Sequence, residues 1–174
     1  MKHLVIKAQK KNEEAFVKLM ELNKQGMYKV AKSYLSYEED VADAMQETIL
    51  TCYEKLDTLR NPQYFKTWMT RILINKCKDI LQKNRELCLM DEMPEVLEKS
   101  MAQENIEFME LLNSLDEKYR TILILYYVEG FKTREIAEIL EMNEYTVKTR
   151  LARARKNFAR EYQKAEICTG GQNI

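Results

Sequence analysis

The residues best placed to do chemistry in this 174-residue chain are cations, and the densest group lies near its end. From Tyr145 to Lys164 there are seven bases (Lys148, Arg150, Arg153, Arg155, Lys156, Arg160 and Lys164) against the single acid Glu161. A second basic block, from Arg60 to Arg85, sets Arg60, Lys66, Arg71, Lys76, Lys78, Lys83 and Arg85 against Asp79. Ammonium and guanidinium groups at this density neutralise phosphates, and an arginine can also donate two hydrogen bonds to a guanine edge. Just upstream, Glu38, Glu39, Asp40, Asp43, Glu47, Glu54 and Asp57 face only Lys55. Bases and acids each total 28, so the zero net charge is a sum of opposite blocks. Such segregation suits a polyanion touched at two places and a basic partner at a third; solvated helix faces are the plain alternative.

Other chemistries are poorly served. Cys52, Cys77, Cys88 and Cys168 form no C-x-x-C pair, and the only histidine, His3, lies at a terminus that reads as frayed. That offers no zinc ligand set and no internal general base, and no glycine-rich loop cradles phosphate, so no metal, cofactor or catalytic residue is expected. The thiols read as buried or idle in a reducing cytosol. No stretch approaches the roughly 18 apolar residues of a membrane span, and the N-terminus lacks a secretory apolar run. The chain therefore reads as a soluble, cytoplasmic protein without membrane insertion.

The elements that must carry these charges are helices. Four glycines and two prolines argue against turn-rich β architectures, and the apolar spacing is helical nearly throughout. Asn12 is a cap for a helix with Ala15, Phe16, Leu19 and Met20 inward, continuing through Val30, Ala31 and Tyr34 after a break at Gly26. Ser36-Tyr37-Glu38-Glu39 has the pattern of a capping box opening a helix on Val41, Ala44, Met45, Thr48 and Cys52. Asn61-Pro62 then reads as cap plus first helical position for a helix to about Gln82, with Phe65, Trp68, Met69, Ile72 and Ile80 inward. Residues 84–105 are acidic and weakly periodic, and read as a linker.

Beyond the linker, Phe108, Met109, Leu111, Leu112 and Leu115 form an apolar stripe. Ser114-Leu115-Asp116-Glu117 is a second capping-box pattern, opening a helix that ends near Gly130, which suits the left-handed position after a helix. Thr133 is then a cap for a short helix to Leu140, Glu141-Met142-Asn143 a turn, and Asn143 a cap for the next helix. That helix keeps Val147, Leu151, Ala154 and Phe158 on one side and leaves its bases on the other. Two helices, a three-residue turn, a small residue (Ala137) at the crossing and a basic second helix describe a helix-turn-helix. Lys148, Thr149, Ala152 and Arg153 lie early enough to face base edges; Arg150, Arg155, Lys156 and Arg160 suit phosphates. A basic amphipathic helix merely facing water remains the alternative.

Thr133–Leu140 followed by Thr146–Arg155 resembles the C-terminal helix-turn-helix of bacterial sigma factors. Asp43-Ala44-Met45-Gln46-Glu47 resembles that family's D-x-x-Q-E motif, and Phe65-Lys66-Thr67-Trp68 with Asn75-Lys76-Cys77-Lys78-Asp79 resembles its promoter-melting segment. With only two domains, the likeness is to the extracytoplasmic-function group and covers roughly residues 10–160. The resemblance implies an all-α protein: a region 2 domain over 1–83, a flexible acidic linker over 84–105, a region 4 domain over 106–166, and a disordered tail over 167–174. It implies promoter-directed initiation by bacterial RNA polymerase in an envelope or extracellular stress response, with core enzyme, promoter DNA and an anti-sigma factor as partners. Asp40, Asp43, Gln46 and Glu47 would meet the core enzyme. Arg60, Asn61, Arg71, Asn75, Lys76 and Lys78 would hold the minus-ten element, the loop Asp57–Gln63 forming the rim of a pocket for a flipped base. Thr133, Tyr145, Lys148, Thr149, Arg150, Ala152, Arg153 and Lys156 would hold the minus-thirty-five element. Fully extended, the 22 linker residues 84–105 reach about 73 Å, more than the roughly 58 Å of a spacer of about 17 base pairs. Two other readings stay open: a repressor or activator using the helix-turn-helix without polymerase, and a helical protein-binding adaptor.

Overall fold

A computed structural model describes residues 1–88 and 111–169, and the chain separates into two compact units. The first contains α1 (Lys2–Gln9), α2 (Glu13–Lys32), α3 (Glu38–Lys55) and α4 (Phe65–Cys88), with 3-10 turns at Leu56–Thr58 and Pro62–Tyr64. All regular structure among the described residues is helical. The N-terminus is not frayed: α1 packs on α2 and buries Val5 and Ala8. Asn12 caps α2 as its residue type requires, accepting from the Ala15 N–H at 2.8 Å. Gly26 does not break that helix. The buried Asn23, Met27, Val30 and Ala31 around it hold the turns together and outweigh the roughly 1 kcal/mol a mid-helix glycine costs.

Neither capping box forms. The backbone cap of α3 is Tyr37, without a side-chain bond, so Ser36 does not close the helix. Instead Lys32 of α2 donates to the Ser36 carbonyl and pairs with Glu38 at 2.9 Å, while the Tyr28 hydroxyl donates to the same carboxylate. Burial, then the Glu38 carboxylate, pushes the Tyr28 phenol upward. Ser114 likewise turns back, donating to the Leu111 carbonyl, and the following helix starts at Glu117 behind Asp116. In both places a tertiary or backward bond supplied a better partner than the local motif.

Helix α4 packs on both α3 and α2. It buries Phe65, Met69, Leu73 and Cys77, spaced by four, together with Thr67, Thr70 and Ile74. The inward set expected from sequence is therefore shifted: Ile72, Ile80 and Trp68 are only half-buried, and Leu73 and Ile74 take the core. A helix covered by two neighbours buries a face wider than one stripe, which spacing alone does not reveal. The helix also runs to Cys88, so the stretch read as a linker begins in helix; residues 89–110, with Phe108 and Met109, lie outside the described residues.

The second unit contains α5 (Glu117–Leu123), a π-helical turn (Ile124–Val128), α6 (Thr133–Leu140) and α7 (Glu144–Thr169). Helix α5 packs on α7, and Leu112, Leu115, Ile122, Leu125, Ile136, Val147, Leu151 and Ala154 are buried. Gly130 adopts φ +72° where the chain leaves the π turn, as its lack of Cβ permits. Helix α7 continues through Thr169, so the first three residues of the expected tail are helical; 170–174 lie outside the described residues.

Cys52 and Cys77 are both fully buried, and burial pushes the Cys52 thiol up to about 12. The thiolate is the reactive form, so alkylation of the native protein at pH 8, mapped by mass spectrometry, is expected to leave both unlabelled until denaturant is added.

Candidate nucleic-acid interface

In the second unit, a three-residue turn joins α6 to α7. Glu141 takes the left-handed conformation (φ 54°), the Met142 N–H bonds the Ala137 carbonyl, and Asn143 caps α7 by accepting from the Tyr145 N–H at 2.7 Å. Val147, Leu151 and Ala154 fasten α7 by one stripe, while Phe158, expected on the same stripe, is only half-buried, so residues on the opposite side must face outward. Tyr145, Thr149, Ala152 and Lys156, spaced by four, three and four, form the centre of that outward face. Tyr145 is 78% exposed and Ala152 and Lys156 are exposed. Exposed Arg153 and Lys148 flank it on opposite sides, and Arg150 is half-buried nearer the core stripe. The Thr149 hydroxyl donates back to the Tyr145 carbonyl, so toward a base its oxygen is left chiefly as an acceptor.

Thr133 does not cap α6. It is the first residue of that helix, and its hydroxyl donates to Glu144 at 2.9 Å; the Glu135 carboxylate instead accepts from the Lys132 N–H. Glu144 also pairs with Lys148 at 2.9 Å. Bonds from Lys148 and then Thr133 pull the Glu144 carboxyl below its usual 4.5. Because the folded value is lowered, this link between the two helices is present at neutral pH and weakens only as pH falls through that lowered value. Arg155 is not a free phosphate contact either. Its Nε donates to the Tyr127 hydroxyl at 2.6 Å, and its guanidinium lies 5.4 and 5.5 Å from the Tyr126 and Tyr127 ring centroids. A cation over two rings is held by their π faces. Nothing in the sequence separates Arg155 from its neighbours; the tyrosines that claim it lie about 28 residues earlier.

In the first unit, α4 and the 3-10 turn before it carry a second outward stripe. Tyr64, Trp68, Arg71, Asn75 and Lys78 follow one another by four, three, four and three; Tyr64 is half-exposed, Trp68 half-buried, and the other three exposed. Phe65 and Trp68, both expected in the core, separate here. Phe65 is fully buried, whereas three residues of helix rotate Trp68 out toward Arg71 and Asn75. Arg60 and Asn61 are exposed in the loop before α4, where Asn61 accepts from the Gln63 N–H. Lys76 is turned aside from the stripe and pairs with Glu47 of α3 at 3.2 Å.

The acidic residues of α3 divide similarly. Asp43 and Gln46 are exposed on the side away from the buried Val41, Ala44, Thr48 and Cys52, with the 58%-exposed Leu50 one turn further. Asp40 is half-buried and accepts from Asn84 of α4 at 2.9 Å. Two of the four carboxylate or amide groups assigned to a protein partner are thus already engaged across the α3–α4 contact. No group of three or more potential metal ligands occurs among the described residues.

These arrangements define a helix-turn-helix unit and a separate helical unit with a basic, aromatic outward stripe. Family models agree with both: residues 19–86 match Sigma-70 region 2 and residues 105–158 match Sigma-70, region 4. The sigma factor SigV of Bacillus subtilis is 36% identical over 148 residues, covering 83% of this chain and 89% of that protein. The extracytoplasmic-function sigma factor SigW of the same organism is 25% identical, covering 92% and 96%. The solved structure of CnrH in complex with the cytosolic domain of CnrY matches with a TM-score of 0.71 at 25% identity, covering 94% of this chain and 97% of that one. RpoE of Bartonella quintana, solved with the anti-sigma factor NepR, shares the fold at a TM-score of 0.77 and 21% identity, covering 85% and 96%. The chain belongs to the RNA polymerase sigma factors of the extracytoplasmic-function group, and so works in promoter-directed transcription initiation.

The two neighbouring arginines of α7 should separate experimentally. Arg155→Ala removes a stacked, hydrogen-bonded group and is expected to destabilise the second unit by about 1 kcal/mol. Arg153→Ala removes an exposed one and should stay within about 0.5 kcal/mol of the parent in urea unfolding.

Proposed function

We propose that this chain directs bacterial RNA polymerase to a set of stress-response promoters by holding two promoter elements while an acidic helix binds the core enzyme. The observation that carries this is the coexistence in one chain, in family order, of an outward cationic stripe in region 2 and a one-sidedly anchored recognition helix in region 4. On α7, Tyr145, Lys148, Thr149, Ala152 and Arg153 face the minus-thirty-five bases. Lys156 and Arg160 neutralise phosphates, with Arg150 at the edge of the face and Thr133 acting through Glu144. An α-helix fits the major groove, and this one presents small Ala152 between larger donors, so its backbone can approach closely.

On α4, Asn75 and the Arg60–Asn61 loop take the minus-ten strand, Arg71 and Lys78 its phosphates, and Trp68 and Tyr64 offer rings to unpaired bases. Unstacking a base costs a few kcal/mol, which stacking on an aromatic side chain at about 1–3 kcal/mol per base can offset. Lys76 reaches that strand when it leaves Glu47. Asp43 and Gln46, with Asp40 and Glu47 beside them, present a negative surface to core polymerase, and exposed Leu50 supplies apolar contact. The chain makes no bond itself; polymerase does the chemistry. No described helix is long and apolar enough to cross a membrane, in keeping with action in the cytoplasm on nucleoid DNA. The similar proteins whose structures were solved with an anti-sigma factor or with a cytosolic domain suggest a comparable protein inhibitor for this chain.

Purified core enzyme with this chain, transcribing a genomic fragment library, is expected to yield new start sites sharing two spaced elements. Binding and regulation by the chain without core would instead indicate a repressor or activator, and core or protein binding without new starts an adaptor. Arg153→Ala should lower transcription from those promoters about tenfold, in line with a lost bidentate base contact, while co-purification with core stays unchanged.

A further inference from the structure

The loop between α3 and α4 is braced by a residue far from it in sequence. Gln9, at the end of α1, directs its Nε2 at two carbonyl oxygens of that loop, Leu56 at 3.0 Å and Leu59 at 2.8 Å. An amide nitrogen has two hydrogens, so one side chain satisfies both acceptors at once. Leu56 and Leu59 are buried beneath, and the Thr58 hydroxyl donates to the Lys55 carbonyl, so the loop is pinned at three successive points. Asp57, Arg60 and Asn61 are left exposed outside it. Helix α1 is itself seated by buried Val5 and Ala8 and packs against both 3-10 turns that bound the loop. It lies before the stretch that matches region 2, which begins at residue 19.

We infer that Gln9 is a positioning residue for promoter recognition: from α1 it fixes the Leu56–Asn61 backbone so that Arg60 and Asn61 meet the minus-ten strand at a set distance. The inference rests on the proposed role of that loop. Discrimination between bases requires donors and acceptors held to a fraction of an ångström. A loop of exposed backbone would otherwise sample several arrangements. Gln9→Glu keeps the shape but turns an oxygen anion toward two carbonyl oxygens, expelling the loop from its seat. Gln9→Lys keeps a donor of similar reach.

The test uses full-length protein with core polymerase and single-base variants of the minus-ten element of a promoter recovered from the library. Transcription from each variant gives a discrimination ratio at every position. Asn61→Ala is expected to flatten discrimination at one or two positions. Gln9→Glu should flatten it at the same positions by about three- to tenfold, while Gln9→Lys retains most of it. Discrimination at the minus-thirty-five element and core co-purification should be unchanged. If Asn61→Ala flattens the profile and Gln9→Glu does not, the brace has no part in recognition, although the loop does. If neither changes it, the loop reading and the inference fall together. If Gln9→Glu also abolishes core association and Gln9→Lys fails to restore the profile, α1 only supports the fold and the inference is overturned.

Discussion

The structure depends on one-sided anchoring. Helix α7 is fixed by a narrow apolar stripe, Val147, Leu151 and Ala154, and everything it offers to a partner follows from the opposite side being left uncovered. Helix α4 obeys the same constraint more loosely, because two neighbours cover it and a narrower sector remains outward. In both units the core sets the direction in which the cations point. A wider apolar face on either helix would bury or splay the groups that now point outward.

Charge segregation follows from this geometry. The acids of α3 and the bases of α4 occupy adjoining helices, and the Glu47–Lys76 and Asp40–Asn84 contacts tie one to the other. The Glu47–Lys76 pair is exposed enough to contribute little stability. Its interest is that the proposed function gives one of these groups to DNA and the other to polymerase, so on that proposal engaging one partner would free a side chain for the other. The Arg155 cage has the opposite character. A cation that composition would assign to phosphate is committed to Tyr126 and Tyr127, and helps fix α7 against the π-helical turn that follows α5.

Much of this was legible in the sequence. The helical class, the two units, the Asn12, Asn61 and Asn143 caps, Gly130 and the buried stripe of α7 all rest on local rules: side-chain oxygens that reach a nearby N–H, a missing Cβ, or spacing on one face. The structure departs from these expectations where a distant or backward partner outbids the local motif. Ser36 and Ser114 have capping-box spacing, but Lys32, Tyr28 and the Leu111 carbonyl changed the bonding at those helix starts. Thr133 turned to Glu144, Arg155 to two tyrosines, and the face of α4 shifted because α2 and α3 both cover it. Helix α1 has little sequence signal because Val5 and Ala8 are sparse among lysines, and Gln9 carries none, its partners lying 47 and 50 residues away.

The central claim is that one chain, joined to core polymerase, touches two separate stretches of a single promoter through α4 and α7. Hydroxyl-radical footprinting of the assembled complex on a recovered promoter tests it most directly. The account predicts two protected patches, the upstream one lost with Arg153→Ala and the downstream one weakened with Asn75→Ala, each without loss of the other. A single patch, or an identical footprint from the chain without polymerase, would contradict it.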